Sequence, residues 1–208
     1  MTSYVTIANL AASKLGEDDQ LRSPDDDTHL GRTVKAVFDP ARRAALRDHS
    51  WNFAMRRREL AAESLRSVPY PWQFSFPLPA DALRLIEVLN LSARSDYQLE
   101  GRSILTNAGG PVYIRYLTDV TESALWDDLF VEAFACRLAF QIGHRIVGSA
   151  FDAGTAWKVY KSALADAKRV DARENPQVPF EASSWETARY AGAGVVNTPY
   201  GIPSGYPV

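Results

Sequence analysis

The stretch THLGRTVKAVFDPARRAALRDHSWNFAMRRREL, residues 28–60, contains the change of pattern that decides the fold class. Its first part places apolar residues at helical spacing, from Leu30 and Val34 to Ala45 and Leu46, and this predicts a helix over about residues 28–49. Residues 53–60 lose that spacing and favour an extended segment instead. A helix followed at once by a strand indicates an α+β chain.

Pro40 lies inside the predicted helix and leaves two interpretations open. Asp39 caps a second helix that has Pro40 at its first position, or a single helix continues and kinks at the proline. In both interpretations Arg42, Arg43 and Arg47 are expected to form an exposed basic stripe on the helix.

Three other segments show helical spacing of apolar residues, over about residues 3–15, 123–147 and 153–173. The middle of the chain, about residues 53–118, favours strands, including 72–76, 83–91 and the strongest one, 112–117 (VYIRYL). Residues 97–106 predict a tight hairpin that turns at Gly101. We therefore predict an α+β fold, mainly α: a helical bundle of about four helices with a small antiparallel sheet inserted.

Composition limits the class of protein. The 208 residues suit one domain, about residues 1–174, followed by an extension. Lys and Arg total 23 against 25 Asp and Glu, so the basic excess typical of a free-standing nucleic-acid binder is missing. Cys136 is the only cysteine, which excludes an internal disulfide and predicts a small buried side chain in a helix. No signal peptide or membrane-spanning run is recognisable, so assembly in a reducing cytoplasm is expected.

Residue types that perform chemistry are present but are not grouped. His29, His49 and His144 lie far apart, without a partner at metal-ligand spacing. Packed or hydrogen-bonded roles are expected for His49, next to Trp51, and for His144, at the end of an apolar helix. The carboxylates of residues 25–27 precede a predicted helix and suit its positive end better than a calcium site. No nucleophile elbow, phosphate-binding loop or dinucleotide fingerprint is found. The sequence therefore predicts a protein that is not an enzyme and has no cofactor or metal.

Three consecutive arginines, Arg56, Arg57 and Arg58, are the strongest charge feature. In an extended segment Arg56 and Arg58 share one face and Arg57 lies on the other. They favour a solvated strand edge, where charge discourages aggregation, or a contact with a protein partner. The alternative is contact with DNA phosphates, made together with the basic stripe of the preceding helix, in a soluble helical DNA-binding protein.

Residues 175–208 differ in composition from the rest of the chain. Their prolines and glycines exclude a long helix or a central strand, and their aromatic residues are unlike a solvated linker. We predict an extended C-terminal arm that becomes ordered on a partner surface. The partner-binding candidates in this arm are its large aromatic residues: Trp185, Tyr190, Tyr200 and Tyr206.

Six short strings follow one another between residues 3 and 173: ANLA (8–11), DPARRAALRDHSWNFA (39–54), FPLPADALR (76–84), YQLEGRSILT (97–106), IRY (114–116) and FVEAFACRLA (130–139). In this order they resemble the phage tail tubular protein A family, the head-to-tail adaptors of short-tailed phages. The second string is similar to the family's helix-to-hPWNFA junction, and the third to its Y-x-LPxDCLR stretch. The chain departs from the family pattern at Ser50, where Pro is usual, and at Ala82, where Cys is common.

The resemblance implies a helical bundle with an inserted β region, assembled as a ring that commonly has twelve subunits. One face of such a ring docks on the portal protein and the other receives the tail nozzle protein, while DNA passes through the lumen without specific binding. The implied location is the head-to-tail junction of the virion. A nearly neutral chain suits such a lumen, because tight phosphate binding would stop DNA from sliding.

Overall fold

The computed structural model describes residues 2–63, 68–91 and 96–174. These residues form four α-helices: α1 (Tyr4–Ser13), α2 (His29–Arg47), α3 (Asp128–Ile146) and α4 (Ala153–Glu174). They also form six strands: β1 (Met55–Leu60), β2 (Phe74–Pro77), β3 (Ala82–Val88), β4 (Tyr97–Glu100), β5 (Ser103–Thr106) and β6 (Val112–Thr118). The predicted α+β class is confirmed.

Helix α2 runs through Pro40 without a break, so the interpretation with one continuous helix is right and Asp39 caps nothing. The helix begins after Thr28, whose hydroxyl accepts a hydrogen bond from the backbone N–H of Gly31 at 3.0 Å. Gly31 is required here because a Cβ at this position would lie 2.2 Å from the backbone oxygen of Asp26. The acidic loop therefore packs directly against the first turn of α2.

Helix α3 begins at Asp128, and the prediction that it starts near residue 123 is wrong. The side chain of Asp127 accepts hydrogen bonds from the backbone N–H groups of Leu129 and Phe130, and this cap fixes the start of the helix. The chain before the cap forms a short 3-10 turn, and the indole of Trp126 donates to the backbone oxygen of Val120 at 3.2 Å. Helical spacing of apolar residues does not distinguish such a packed turn from a helix.

One hydrophobic core joins the helices. Helix α3 is central to it, with Phe130, Phe134, Leu138 and Ile142 all buried. Helices α1 and α2 pack against α3, and α4 adds a shorter apolar row to the same core. Cys136 is buried on α3, as predicted. Helical periodicity in the sequence thus identified most of the residues that form this core.

The strands form two three-stranded antiparallel sheets, and the prediction of one small sheet is wrong. In the first sheet β6 lies between β1 and β3, and in the second β5 lies between β2 and β4. The predicted hairpin is the β4–β5 pair, with Gly101 at a φ of 56°. Side chains from both sheets share a second hydrophobic cluster, which includes Phe76, Ile104 and Ile114. Strand β1 is left at the edge of the first sheet.

Candidate functional site

The three consecutive arginines lie on β1, and all of them are exposed. Within the first sheet, the strand pairs with β6 on one side, from Met55 opposite Leu117 to Leu60 opposite Val112. Leu60 is buried in the sheet core, whereas the four residues before it are exposed. The predicted exposed strand edge is confirmed, and contact with a partner at this edge stays a prediction.

Arg57 faces another arginine across the sheet. The register places Arg57 opposite Arg115 of β6, and Arg115 pairs on its other side with Glu87 of β3, with 3.4 Å between Nη2 and Oε2. Like charges that lie directly opposite each other destabilise an antiparallel pair. Within the part of the chain that the structure describes, the side chains of Arg56 and Arg57 have no ion pair or hydrogen bond. The edge therefore carries positive charge that no described residue pairs.

Arg58 is more constrained than its two neighbours. Its guanidinium lies beside the hydroxyl of Tyr116, which donates a hydrogen bond to Asp81 Oδ2 at 3.4 Å. Burial raises the pKa of Tyr116, the negative charge of Asp81 adds to that shift, and the positive charge of Arg58 opposes it. Arg58 therefore has a hydroxyl group beside it, whereas Arg56 and Arg57 have no hydrogen-bond or ion-pair partner among the described residues.

The exposed basic stripe predicted for α2 is wrong at Arg42. This side chain is only 4% exposed; it forms an ion pair with Asp119, lies 3.3 Å from Asp39 Oδ1 and donates to the backbone oxygen of Val120 at 3.1 Å. A buried guanidinium needs such partners because losing water without them is costly. Arg47 also donates to a backbone oxygen, that of Leu83. These two arginines attach the first sheet to the last turns of α2.

The junction between α2 and β1 is held by aromatic packing. Trp51 is fully buried, its indole donates to the backbone oxygen of Ala45 at 3.2 Å, and its ring meets Phe130 of α3 at a centroid distance of 4.9 Å. Phe53 packs on the same Phe130 ring at 5.1 Å. His49 packs edge-on against Trp51 at 4.9 Å, in agreement with the packed role expected for it. This part of the resembling string therefore sets the path of the chain.

Asp171 of α4 is a buried carboxylate that the sequence reading missed. Its Oδ1 accepts a hydrogen bond from the backbone N–H of Asn52 at 2.9 Å, and its Oδ2 lies 3.0 Å from Nε2 of His49. The side-chain amide of Asn52 donates back to the backbone oxygen of Asp171 at 2.7 Å. The only signal in the sequence is that position 171 continues the apolar row of Tyr160, Leu164 and Ala167.

A second polar group joins α2, α3 and α4. The hydroxyl of Tyr160 donates to Asp48 Oδ2 at 2.6 Å and accepts from Arg137 at 2.7 Å, and Arg137 also pairs with Asp48 at 2.8 Å. Burial and the hydrogen bond to Asp48 raise the pKa of Tyr160 to about 12. The three groups bond one another, and only Nε of Arg137 is left buried without a partner among the described residues, so this cluster has the character of a structural tie.

In the acidic loop between α1 and α2, some carboxylates have a cationic or backbone N–H partner, and others form no ion pair with a described residue. Asp26 accepts hydrogen bonds from the backbone N–H groups of Arg22 and Ser23 at 2.6 and 3.0 Å, which lowers its pKa. Asp27 pairs with Arg32 at 2.7 Å, and Asp25 lies 3.4 Å from Lys35. The remaining acidic residues of the loop form no ion pair with a described residue: Glu17, Asp18 and Asp19.

A pocket of about 300 Å³ lies between α1, α3 and α4, and its walls are mostly apolar. Cys136 is at its base, and burial raises the pKa of this thiol, so that it stays protonated and is a poor nucleophile at neutral pH. The neighbouring Lys14 is engaged in an ion pair with Glu132. The pocket is therefore an open space in which neither the Cys136 thiol nor the Lys14 amine is activated as a nucleophile.

Residues 2–63, 68–91 and 96–174 contain no group of three or more acidic, histidine or cysteine side chains placed to hold a metal ion. In the same ranges no helix has the length and apolar character needed to cross a membrane. His144 lies with Nδ1 at 3.1 Å from the backbone oxygen of Gly148, as expected of a hydrogen-bonded histidine. The predicted partner-binding aromatics of the arm lie outside the described residues: Trp185, Tyr190, Tyr200 and Tyr206.

Comparison with known proteins gave no match, either to a protein-family model or to a curated protein.

Proposed function

We propose that the chain is a structural virion protein, one subunit of a ring-shaped adaptor that connects the portal protein to the tail nozzle of a short-tailed phage. In this proposal the four helices form the bundle of the adaptor and the two sheets form its inserted β region. DNA passes through the lumen of the ring without specific binding. The C-terminal arm, residues 175–208, becomes ordered on a partner.

The observation that carries the proposal is the junction between α2 and β1. The longest of the six resembling strings, residues 39–54, ends in Trp51, Asn52 and Phe53. Trp51 and Phe53 pack on α3, and Asn52 is bonded to Asp171 of α4. The resemblance therefore rests on residues that determine how a helix, a strand and two further helices meet, and not on surface residues that match by composition.

The charge distribution supports the ring adaptor better than the alternative function of a soluble DNA-binding protein. The alternative function, a soluble DNA-binding protein, needs arginines that face outward along α2 and β1. Arg42 is buried in ion pairs within the subunit, which leaves Arg43 and Arg47 as the exposed arginines of the predicted stripe. Arg43 lies 3.4 Å from Asp119, and Arg47 is bonded to the backbone of β3. The run of arginines on β1 stays exposed, but it is a short edge on a chain whose net charge is -2. This small edge suits a protein contact.

Co-elution with the portal protein of the same phage tests the proposal. We expect the full chain to shift to the portal fraction in size-exclusion chromatography, and isolated chain without portal to elute later. Failure to associate at micromolar concentrations of both proteins would refute it. The alternative makes the opposite prediction: the isolated chain would bind duplex DNA with an affinity that falls steeply with salt, and each lost phosphate contact would reduce the salt slope by about one.

A further inference from the structure

The unbalanced positive edge on β1 has a counterpart in the same subunit. Arg56 and Arg57 are exposed on the two faces of the edge strand, and neither forms an ion pair or hydrogen bond with a described residue. In the acidic loop, Asp18 and Asp19 are exposed and Glu17 is partly so, and none of the three forms an ion pair with a described residue. The nearest lysine along the chain, Lys14, is already paired with Glu132 and does not neutralise them. Each surface thus carries charge that forms no ion pair with the described residues of its own subunit.

The two charged surfaces belong to segments that contact different ends of α2. The loop that carries Glu17, Asp18 and Asp19 packs on the first turn of α2 further along, where the backbone oxygen of Asp26 lies against Gly31. The first sheet is attached to the last turns, through Arg42 with Asp119 and Arg47 with Leu83. Within the described residues, no ion pair joins the two charged surfaces.

We propose that Arg56 and Arg57 on β1 of one subunit dock against Glu17, Asp18 and Asp19 of the next subunit. The proposal rests on the proposed function, because a ring built from head-to-tail contacts needs two different complementary surfaces on every subunit. The partner is a second copy of this chain, chosen by charge complementarity.

Charge-reversal variants of the full chain test this contact in sedimentation velocity over a range of protein and salt concentrations. We expect the wild-type chain to self-associate at low salt and to dissociate as salt rises. The variants R56E/R57E and D18R/D19R should each associate about a hundredfold or more weakly, since each places like charges across the contact. A 1:1 mixture of the two variants should recover association, because the reversed edge of one then meets the reversed loop of the other.

The variant R145E/K158E is the matched control. It changes the net charge by the same amount as R56E/R57E, at exposed positions on α3 and α4, and should associate like the wild type. The far-UV circular dichroism of all variants should match that of the wild type, because every substituted side chain is exposed.

Three results would overturn the contact: a wild-type chain that stays monomeric throughout, single variants that associate as well as the wild type, or a mixture that fails to recover. These outcomes are distinct from failure of the adaptor proposal. If the chain binds the portal but the charge-reversal variants self-associate like the wild type, the contact alone is refuted. A chain that self-associates through these charges but never binds a portal refutes the adaptor.

Discussion

Asp171 and Asn52 are joined by two hydrogen bonds across the molecule: the backbone N–H of Asn52 donates to the carboxylate of Asp171 at 2.9 Å, and the amide of Asn52 donates to the backbone oxygen of Asp171 at 2.7 Å. The pair fixes α4 to the start of the β region.

Replacing Asp171 with Ala should destabilise the fold by about 2 kcal/mol, because it leaves the buried N–H of Asn52 and the ring of His49 without their acceptor. Urea unfolding monitored by tryptophan fluorescence gives the measurement. The variant D171N is the control, since it keeps an oxygen that can accept from Asn52 and should cost less. Equal unfolding midpoints for D171A and the wild type would show that the tie contributes nothing.

Trp51→Ala should cost about 3–5 kcal/mol, because it removes a fully buried ring from the contacts with Phe130, Phe53 and His49. Trp157→Ala is a matched control, since the same side chain is 42% exposed on α4 and should cost distinctly less. Thermal and chemical unfolding of the two variants provides the comparison. Similar losses from both would contradict the central position of Trp51 in the junction.

Tyr160 predicts how stability changes at alkaline pH. Its pKa is about 12 in the folded chain and 10.0 in the reference state, so the protonated hydroxyl stabilises the fold fully below pH 10. That contribution is lost as pH rises from 10 through 12, because the unfolded chain then releases its proton more easily. Tyr160→Phe should be less stable at neutral pH and should lose less stability than the wild type between pH 10 and 12. Parallel curves of unfolding free energy for the two proteins would contradict this assignment.

Local pattern accounts for the parts of the fold that were predicted correctly. The apolar rows of α2 and α3 and the hairpin around Gly101 all depend on residues close together in the chain. The misplaced start of α3 is a local error, because the Asp127 cap sets it. The other errors involve distant partners. Arg42 is buried because its guanidinium forms an ion pair with Asp119, which lies 77 positions away in the chain. Two sheets form because β2 pairs with β5, which no local spacing encodes.

The candidate site also contains features that the local sequence predicts and features that depend on distant residues. That Arg56, Arg57 and Arg58 stand at an exposed strand edge could be predicted from their charge alone. Asp171 could not, because its partners His49 and Asn52 lie more than a hundred positions away. The opposition of Arg57 and Arg115 also depends on the strand register, which a single sequence does not show.

Deleting residues 175–208 should leave the rest of the chain folded, since the helices before residue 175 share a hydrophobic core of their own. The deletion should weaken binding to the partner, because the arm contains large aromatic residues of the kind that dominate interfaces. A pull-down with the portal compares the full chain, the deletion and the double variant W185A/Y190A. Unchanged binding of the deletion would refute the role of the arm.

Negative-stain electron microscopy of the full chain mixed with its portal protein tests the adaptor proposal most directly. The account predicts a ring of this chain seated on the portal, with a central opening wide enough for duplex DNA and with one copy of the chain repeated around it. Portal particles without added density, seen at concentrations where both proteins are in excess of micromolar, would contradict it.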